Sequence, residues 1–227
     1  MDNSNNCESS NTRSVGGLIL AAGLSTRMGQ SKPLTKFLNK NLIDQTVKTM
    51  YDADIDNIQV VTGYEHERVE AHLQGNYASD RIHTTWNSNY ENGSILTSIK
   101  VGLPELAACK YVFIQLVDLP CVQPETYCKL YQAMQETEKK AVVPTVDGRR
   151  GHPILLNMEL LSDILAYEAG DGGGLRGFWN QLGDAVMELR VTDRGCIMDT
   201  DTKEQLREAE NYMRQRKDKI VPDRDFE

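Results

Sequence analysis

The sequence predicts a three-layer α/β/α fold, a doubly wound and mainly parallel sheet, and three observations carry that prediction. Short apolar runs, β-branched or aromatic in places, alternate with segments of helical periodicity through the first half of the chain. At 227 residues, with no internal Pro/Gly/Ser-rich linker, the chain is long enough to bury one full α/β core. Three of the strand-like runs end in residues suited to ligand chemistry: the first in a glycine-bearing loop, IQVVT in Gly63, and YVFIQLV in Asp118. Doubly wound sheets bind ligands outside the carboxyl ends of their strands, so these three loops are expected to line one crevice.

The elements follow in order. Residues 1–14 are polar and Asn/Ser-rich, the composition of a disordered tail, and 217–227 read as a charged tail, which leaves 15–216 as the folded domain. Strands are expected at 15–21, 58–62, 81–86, 111–117, 141–146, 152–156, 185–191 and 196–198. Leu42, Ile43, Thr46, Val47 and Met50 repeat with helical spacing, and Ile95, Ile99 and Leu103 recur every fourth residue on a later helix. Pro124 opens another helix, and Thr200 or Thr202 caps the last one, KEQLREAENYMRQRK.

Composition excludes several function classes. A formal charge of −8 argues against nucleic-acid or anionic-membrane partners, which require clustered Lys and Arg, so a phosphate partner must be small and held locally. No stretch reaches the roughly 18 apolar residues of a spanning helix, and the N-terminus lacks the apolar core of a signal peptide. The expectation is a soluble cytoplasmic protein. The five cysteines, Cys7, Cys109, Cys121, Cys128 and Cys196, are odd in number and lack CxxC spacing, so free thiols are expected. His66 and His72 in HERVEAH are out of register for a zincin helix, and that segment reads as a solvated helix face.

The stretch from Leu18 to Lys32, LILAAGLSTRMGQSK, carries the most chemistry. It has neither Walker nor GxGxxG spacing, so a phosphate site there rests on its parts. Ala21, Ala22 and Gly23 allow close backbone approach, Arg27 supplies a forked donor, and Lys32 supplies a point charge. The plain alternative is a strand-to-helix turn with two solvated bases. Asp118, in VDLP at the end of an apolar strand, is either a turn former or a Mg²⁺ ligand. Asp199 and Asp201 share one face if the chain there is extended, with capping of the next helix as the competing role for Asp201.

Taken with its neighbours, LAAGLSTRMGQSK resembles the signature of the molybdenum cofactor cytidylyl- and guanylyltransferases. Further elements match in order: VVTGYEHERV, VDLP, GRRGHPILL, GDGGGLRGF and MDTDTKEQL. The resemblance implies a Rossmann-like domain of the nucleotide-diphospho-sugar transferase type. It further implies Mg²⁺-dependent transfer of a nucleoside monophosphate from an NTP to an acceptor phosphate, with molybdopterin as the leading acceptor. Sugar, alditol or isoprenoid-precursor phosphates are the rival acceptors, and a non-catalytic nucleotide-binding or chaperone module is the rival of another class.

Carried over residue by residue, the resemblance assigns Arg27, Lys32 and Asp118 to catalysis. Leu20, Ala21, Ala22, Gly23, Ser25, Thr26, Thr62, Gly63, Gly93 and Ser98 fall to the nucleotide, together with Arg27 at the β/γ end and Lys32 near the α-phosphate. Asp118, Asp199 and Asp201 are the implied metal residues, and His152, Arg150 and Asp171 the implied acceptor residues. In this family alanine at Ala22 goes with cytidine and glycine with guanosine, which makes CTP the expected nucleotide. Handover of the product to a molybdoenzyme or chaperone is the implied partnership. The NSNYENGSILTSIKVGL segment departs from the family pattern in the spacing of its glycine and lacks a methionine.

Overall fold

The computed structural model describes residues 14–23, 31–169 and 174–220, without the side chains of 217–220. The chain opens with strand β1 (Val15–Ala21), a 3-10 turn (Lys32–Leu34) and a hairpin of β2 (Lys36–Phe37) and β3 (Lys40–Asn41). There follow α1 (Leu42–Asp52), β4 (Ile58–Thr62), α2 (His66–Asn76), β5 (Ile82–Trp86), α3 (Ile95–Gly102) and β6 (Tyr111–Leu116). The second half comprises α4 (Pro124–Gln135), β7 (Ala141–Val146), β8 (Arg149–Arg150), β9 (Ile154–Asn157), α5 (Leu161–Ala166), α6 (Gly174–Leu182), β10 (Val186–Arg190) and α7 (Lys203–Ile220).

The main sheet has the order β10-β7-β9-β6-β1-β4-β5, with β8 paired on β7. It is mixed but mostly parallel: β9 runs antiparallel to β6 and β7, and β8 antiparallel to β7. Side chains alternate across each strand and so feed two separate cores. Ile19, Ile58, Val60 and Phe113 pack against α1, α2, α4 and α7, whereas Leu18, Leu20, Val61, Val112 and Ile114 pack against α3, α5 and α6. Burial of each such aliphatic side chain is worth roughly 1.5–3 kcal/mol, which makes the central strands the anchor for everything at their ends.

Register decides where the loops emerge. Leu20 pairs with Leu116, Ala21 with Thr62, and Thr62 with Trp86, so β1, β4, β5 and β6 end level. The loops after Ala21, Thr62, Trp86 and Leu116 therefore leave the same edge of the sheet.

The strand expected at 196–198 is instead part of a 3-10 turn, Arg194–Ile197, opened by the Asp193 carboxylate accepting from the Gly195 amide at 3.0 Å. Cys196 is apolar because it is buried within that turn. The segment read as a charged tail from 217 begins as helix, since α7 continues to Ile220, and charge alone does not end a helix. The expectations for 1–13 and 221–227 lie outside the described residues. Segment 66–72 forms part of α2, with Val69 and Leu73 its buried residues, as a largely solvated helix requires. Its two histidines go separate ways: His66 stacks on Trp86 at 4.4 Å, and His72 meets Asp44 at 2.8 Å. Among the described residues, no disulfide joins Cys109, Cys121, Cys128 and Cys196. No helix among the described residues is long and apolar enough to cross a membrane.

Candidate active site

At the level edge of the sheet, a cleft of about 300 Å³ opens between the end of β1, the start of α3 and the loop after β6. Leu20, Ala22, Gly23, Lys32, Gly93, Ser98 and Asp118 line it, so seven residues assigned from sequence meet in one place. Ala21 turns its side chain to the opposite face, into the core beside Ile19, and leaves its backbone to the edge. Ser94, which the sequence places with Gly93 and Ser98 as a contact to nucleotide or acceptor, lines the cleft too, as do Tyr90, Glu91 and Ile95, which had no sequence-based assignment to the site.

Three charged side chains close one end. The Lys32 ammonium donates to Asp118 Oδ2 at 2.8 Å and to Asp201 Oδ1, joining positions 86 and 169 residues distant in the chain. Asp118 lies just past β6, where the Val117 amide donates to the Leu20 carbonyl at 3.2 Å and ties the two strand ends together. Asp201 is brought over by Thr200, a fully buried residue whose hydroxyl donates to the Asp118 carbonyl at 3.1 Å. Capping of α7 falls to Thr202, which exchanges hydrogen bonds with Gln205 at 2.9 and 3.2 Å, so Asp201 is left to face Lys32.

Burial disfavours the Lys32 ammonium, but the charges and hydrogen bonds of Asp118 and Asp201 more than offset it and hold the lysine above its ordinary pKa. Asp199 is pushed above the usual carboxylate range, by burial first and then by the charges of Asp201 and Asp118. Asp118 Oδ1 and Asp199 Oδ1 are buried with no hydrogen-bond partner among the described residues. Two orphaned carboxylate oxygens beside a third carboxylate suit a hard divalent cation. Among the described residues no set of three His, Cys, Asp or Glu side chains forms a metal cage. Mg²⁺ is usually held by one or two carboxylates and completes its shell with water and substrate phosphates.

Behind the far wall stands Asn87, a buried residue immediately after β5. Its amide donates to the Thr62 carbonyl at 2.8 Å, its side-chain oxygen accepts from the Asn89 amide at 3.1 Å, and its side-chain nitrogen donates to Ser98 Oγ at 3.1 Å. Ser94 then caps α3 by accepting from the Thr97 amide at 3.4 Å. An asparagine at a strand end followed by a Ser-x-x-Thr helix start is the signal that could have marked this loop.

Thr62 and Gly63 support the cleft from behind. Thr62 is buried and its hydroxyl donates to the Thr85 carbonyl at 3.4 Å. A Cβ on Gly63 would stand 2.5 Å from the Ala22 oxygen and 2.8 Å from both Ala22 Cα and Tyr90 Cβ. Backbone cannot yield as a flexible side chain does, so Gly63→Ala is expected to push the Ala22 wall into the cleft. The expected result is a loss of about 1–3 kcal/mol in stability and a rise in KM for the nucleotide with a smaller change in kcat. An unchanged KM would show that the Ala22 wall does not touch the nucleotide.

His152 sits at the turn before β9, partly buried, with Nδ1 3.3 Å from the Ile114 carbonyl. Burial lowers its pKa, more than Ile114 and Asp118 raise it, so the ring is neutral at neutral pH and acts as a hydrogen-bonding group rather than a cation. Arg150, on β8, is exposed and pairs with Glu188 of β10 at 2.6 Å, away from the cleft lining. Ser25, Thr26, Arg27 and Asp171 lie outside the described residues.

A family model described as the MobA-like NTP transferase domain matches residues 17–186. The molybdenum cofactor cytidylyltransferase of Escherichia coli K12 is 28% identical over 65% of this chain and 72% of its own length. A probable molybdenum cofactor guanylyltransferase of Bacillus cytotoxicus is 29% identical over 63% of this chain and 67% of its own. The bifunctional protein GlmU of Psychrobacter cryohalolentis is 32% identical over 54% of this chain, which spans only 27% of that protein. Among solved structures, Rv0371c of Mycobacterium tuberculosis H37Rv superposes with a TM-score of 0.71 at 21% identity, covering 88% of this chain and 99% of that one. The same protein is also known as a manganese complex, with a TM-score of 0.62 at 20% identity, covering 87% of this chain and 98% of that one.

Proposed function

The chain belongs to the MobA-like NTP transferase family, and from that membership we propose that it transfers a nucleoside monophosphate, CMP from CTP first, to the phosphate of a molybdopterin-type acceptor, releasing pyrophosphate. The observation that carries this reading is the meeting of Lys32, Asp118 and Asp201 beside a cleft walled by the first loop and the start of α3. In the reaction an acceptor phosphate oxygen bonds to the α-phosphorus as the bond to the bridging β-phosphate oxygen breaks. Such a transfer asks for positioning and charge neutralisation rather than a protein nucleophile.

Lys32 would pass from Asp118 to the α-phosphate, and Arg27, which lies outside the described residues, would hold the β/γ end. The backbone of Ala21 to Gly23 and the side of Gly93 and Ser98 receive the nucleotide, with Thr62 and Gly63 fixing the wall behind them. Mg²⁺ held by Asp118 with Asp199 or Asp201 would neutralise charge on the triphosphate and the leaving pyrophosphate. His152, Arg150 and Asp171 belong on the acceptor side. The Ala22 methyl lines the cleft and supports the CTP preference, since it narrows a space that glycine would leave open. A molybdoenzyme or its chaperone would receive the product.

Purified protein with Mg²⁺, each of CTP, GTP, ATP and UTP, and molybdopterin or candidate sugar phosphates is expected to release pyrophosphate fastest with CTP and molybdopterin. Faster release with GTP reverses the assignment of the base. Faster release with a sugar, alditol or isoprenoid-precursor phosphate reassigns the acceptor, and no release with any pair leaves a nucleotide-binding module.

A further inference from the structure

Lys32 is also placed to control when a metal ion enters, a role that rests on the transferase reading of this cleft. Its side chain is only 14% exposed and Asp118 only 22%, so their attraction is little screened by water. The ammonium holds one oxygen of Asp118 and one of Asp201. Of the carboxylate oxygens left over, Asp118 Oδ1 belongs to a group bonded to the ammonium, and Asp199 Oδ1 to a carboxylate that feels the lysine charge. A dication on the Asp118 or Asp201 carboxylate would lie within a few bond lengths of the lysine charge. Repulsion there acts whichever of the two carboxylates the ion takes.

We infer that Lys32 is a resident counter-ion: in the free protein its ammonium keeps a divalent ion off the Asp118–Asp201 pair, and the ion gains its place once a triphosphate draws the ammonium away. A triphosphate carries more negative charge than the two carboxylates and reaches the lysine from the cleft that Lys32 lines. Its arrival frees the carboxylates at the moment it brings phosphate oxygens to complete the metal's shell. Metal and nucleotide then raise each other's affinity by one common factor.

The test is a titration of the full chain with Mn²⁺, without nucleotide, following the free ion by electron paramagnetic resonance. Lys32→Met is expected to bind Mn²⁺ about tenfold or more tightly than wild type, and Lys32→Arg, which keeps the charge, to bind as weakly as wild type. Equal measurable affinity in wild type and Lys32→Met overturns the inference and leaves the transferase reading standing. No Mn²⁺ binding by a folded Lys32→Met protein, with or without a triphosphate, overturns both. A second measurement needs no variant: with a non-hydrolysable triphosphate, wild type should take up Mn²⁺ beyond what the nucleotide binds in solution. Saturation at the same Mn²⁺ concentration with and without triphosphate overturns the inference.

Discussion

Asp118→Ala is expected to lower pyrophosphate release by about 10³-fold or more while the protein stays folded. The loss in rate follows from position: Asp118 faces the cleft, pairs with Lys32 at 2.8 Å and keeps its other oxygen buried without a partner among the described residues. Removing it takes away a carboxylate suited to a metal and an anchor that fixes the lysine. The fold has less at stake. Asp118 stands past the end of β6, outside both hydrophobic cores, and the contact that ties this loop to Thr200 uses its backbone carbonyl, which alanine retains. A charge-assisted hydrogen bond is worth about 1.5–3 kcal/mol, and less where solvent reaches the pair. Rates should be measured beside circular dichroism and thermal unfolding. Near-normal turnover in a folded variant would reduce Asp118 to a turn former, and loss of rate through unfolding would leave its chemical role without support.

Much of this site was legible because a parallel sheet turns sequence order into position. Apolar runs that stop at AAG, at Thr62-Gly63 and at Val117-Asp118 had to end at one edge if the strands were parallel, and the level register of β1, β4 and β6 brings those ends together. What pattern alone did not carry was direction and contact. Ile154–Asn157 has the buried, apolar look of its parallel neighbours, yet β9 runs the other way between β6 and β7. Hydrophobic periodicity is the same read in either direction. The role of Cys196 was hidden for a related reason: burial in a turn and burial in a strand leave the same apolar residue. Asn87 and Asp193 went unassigned because a buried polar residue looks like a surface one until its partners, dozens of residues away, are known. The pairing of Lys32 with both aspartates is of this kind too, since strand order brought Lys32 and Asp118 to one crevice and the resemblance added Asp201, without giving their contacts.

Asp193→Ala is expected to cost about 3–5 kcal/mol of stability. The Asp193 carboxylate is 4% exposed and accepts four hydrogen bonds. They come from the Gln123 amide at 2.8 Å, the Gln123 side chain at 2.9 Å, the Thr126 hydroxyl at 2.8 Å and the Gly195 amide at 3.0 Å. Helix α4 has no side-chain cap of its own at Gln123, so a residue far along the chain supplies the acceptor, and its charge suits the positive end of the helix. Alanine would leave the buried Thr126 and Gly195 donors unpaired, at about 1–3 kcal/mol each before relaxation, and the half-buried Gln123 donors would lose their acceptor at a smaller cost. Asparagine would present an amino group to donors that need an acceptor, so Asp193→Asn should fall near alanine rather than near wild type. The neighbouring turn has little room to adjust, because a Cβ on Gly195 would stand 2.2 Å from the Cys121 oxygen. This contact also bears on the site. Asp193 fastens the turn before Asp199 and Asp201 to the loop that follows Asp118, so loosening it lets the carboxylates separate from Lys32. Denaturant unfolding should therefore show the stability loss, and pyrophosphate release below the transition should fall with it. A loss under about 1 kcal/mol would mean that water takes over the acceptor role, and full activity in a destabilised variant would mean that Thr200 alone holds the carboxylates in place.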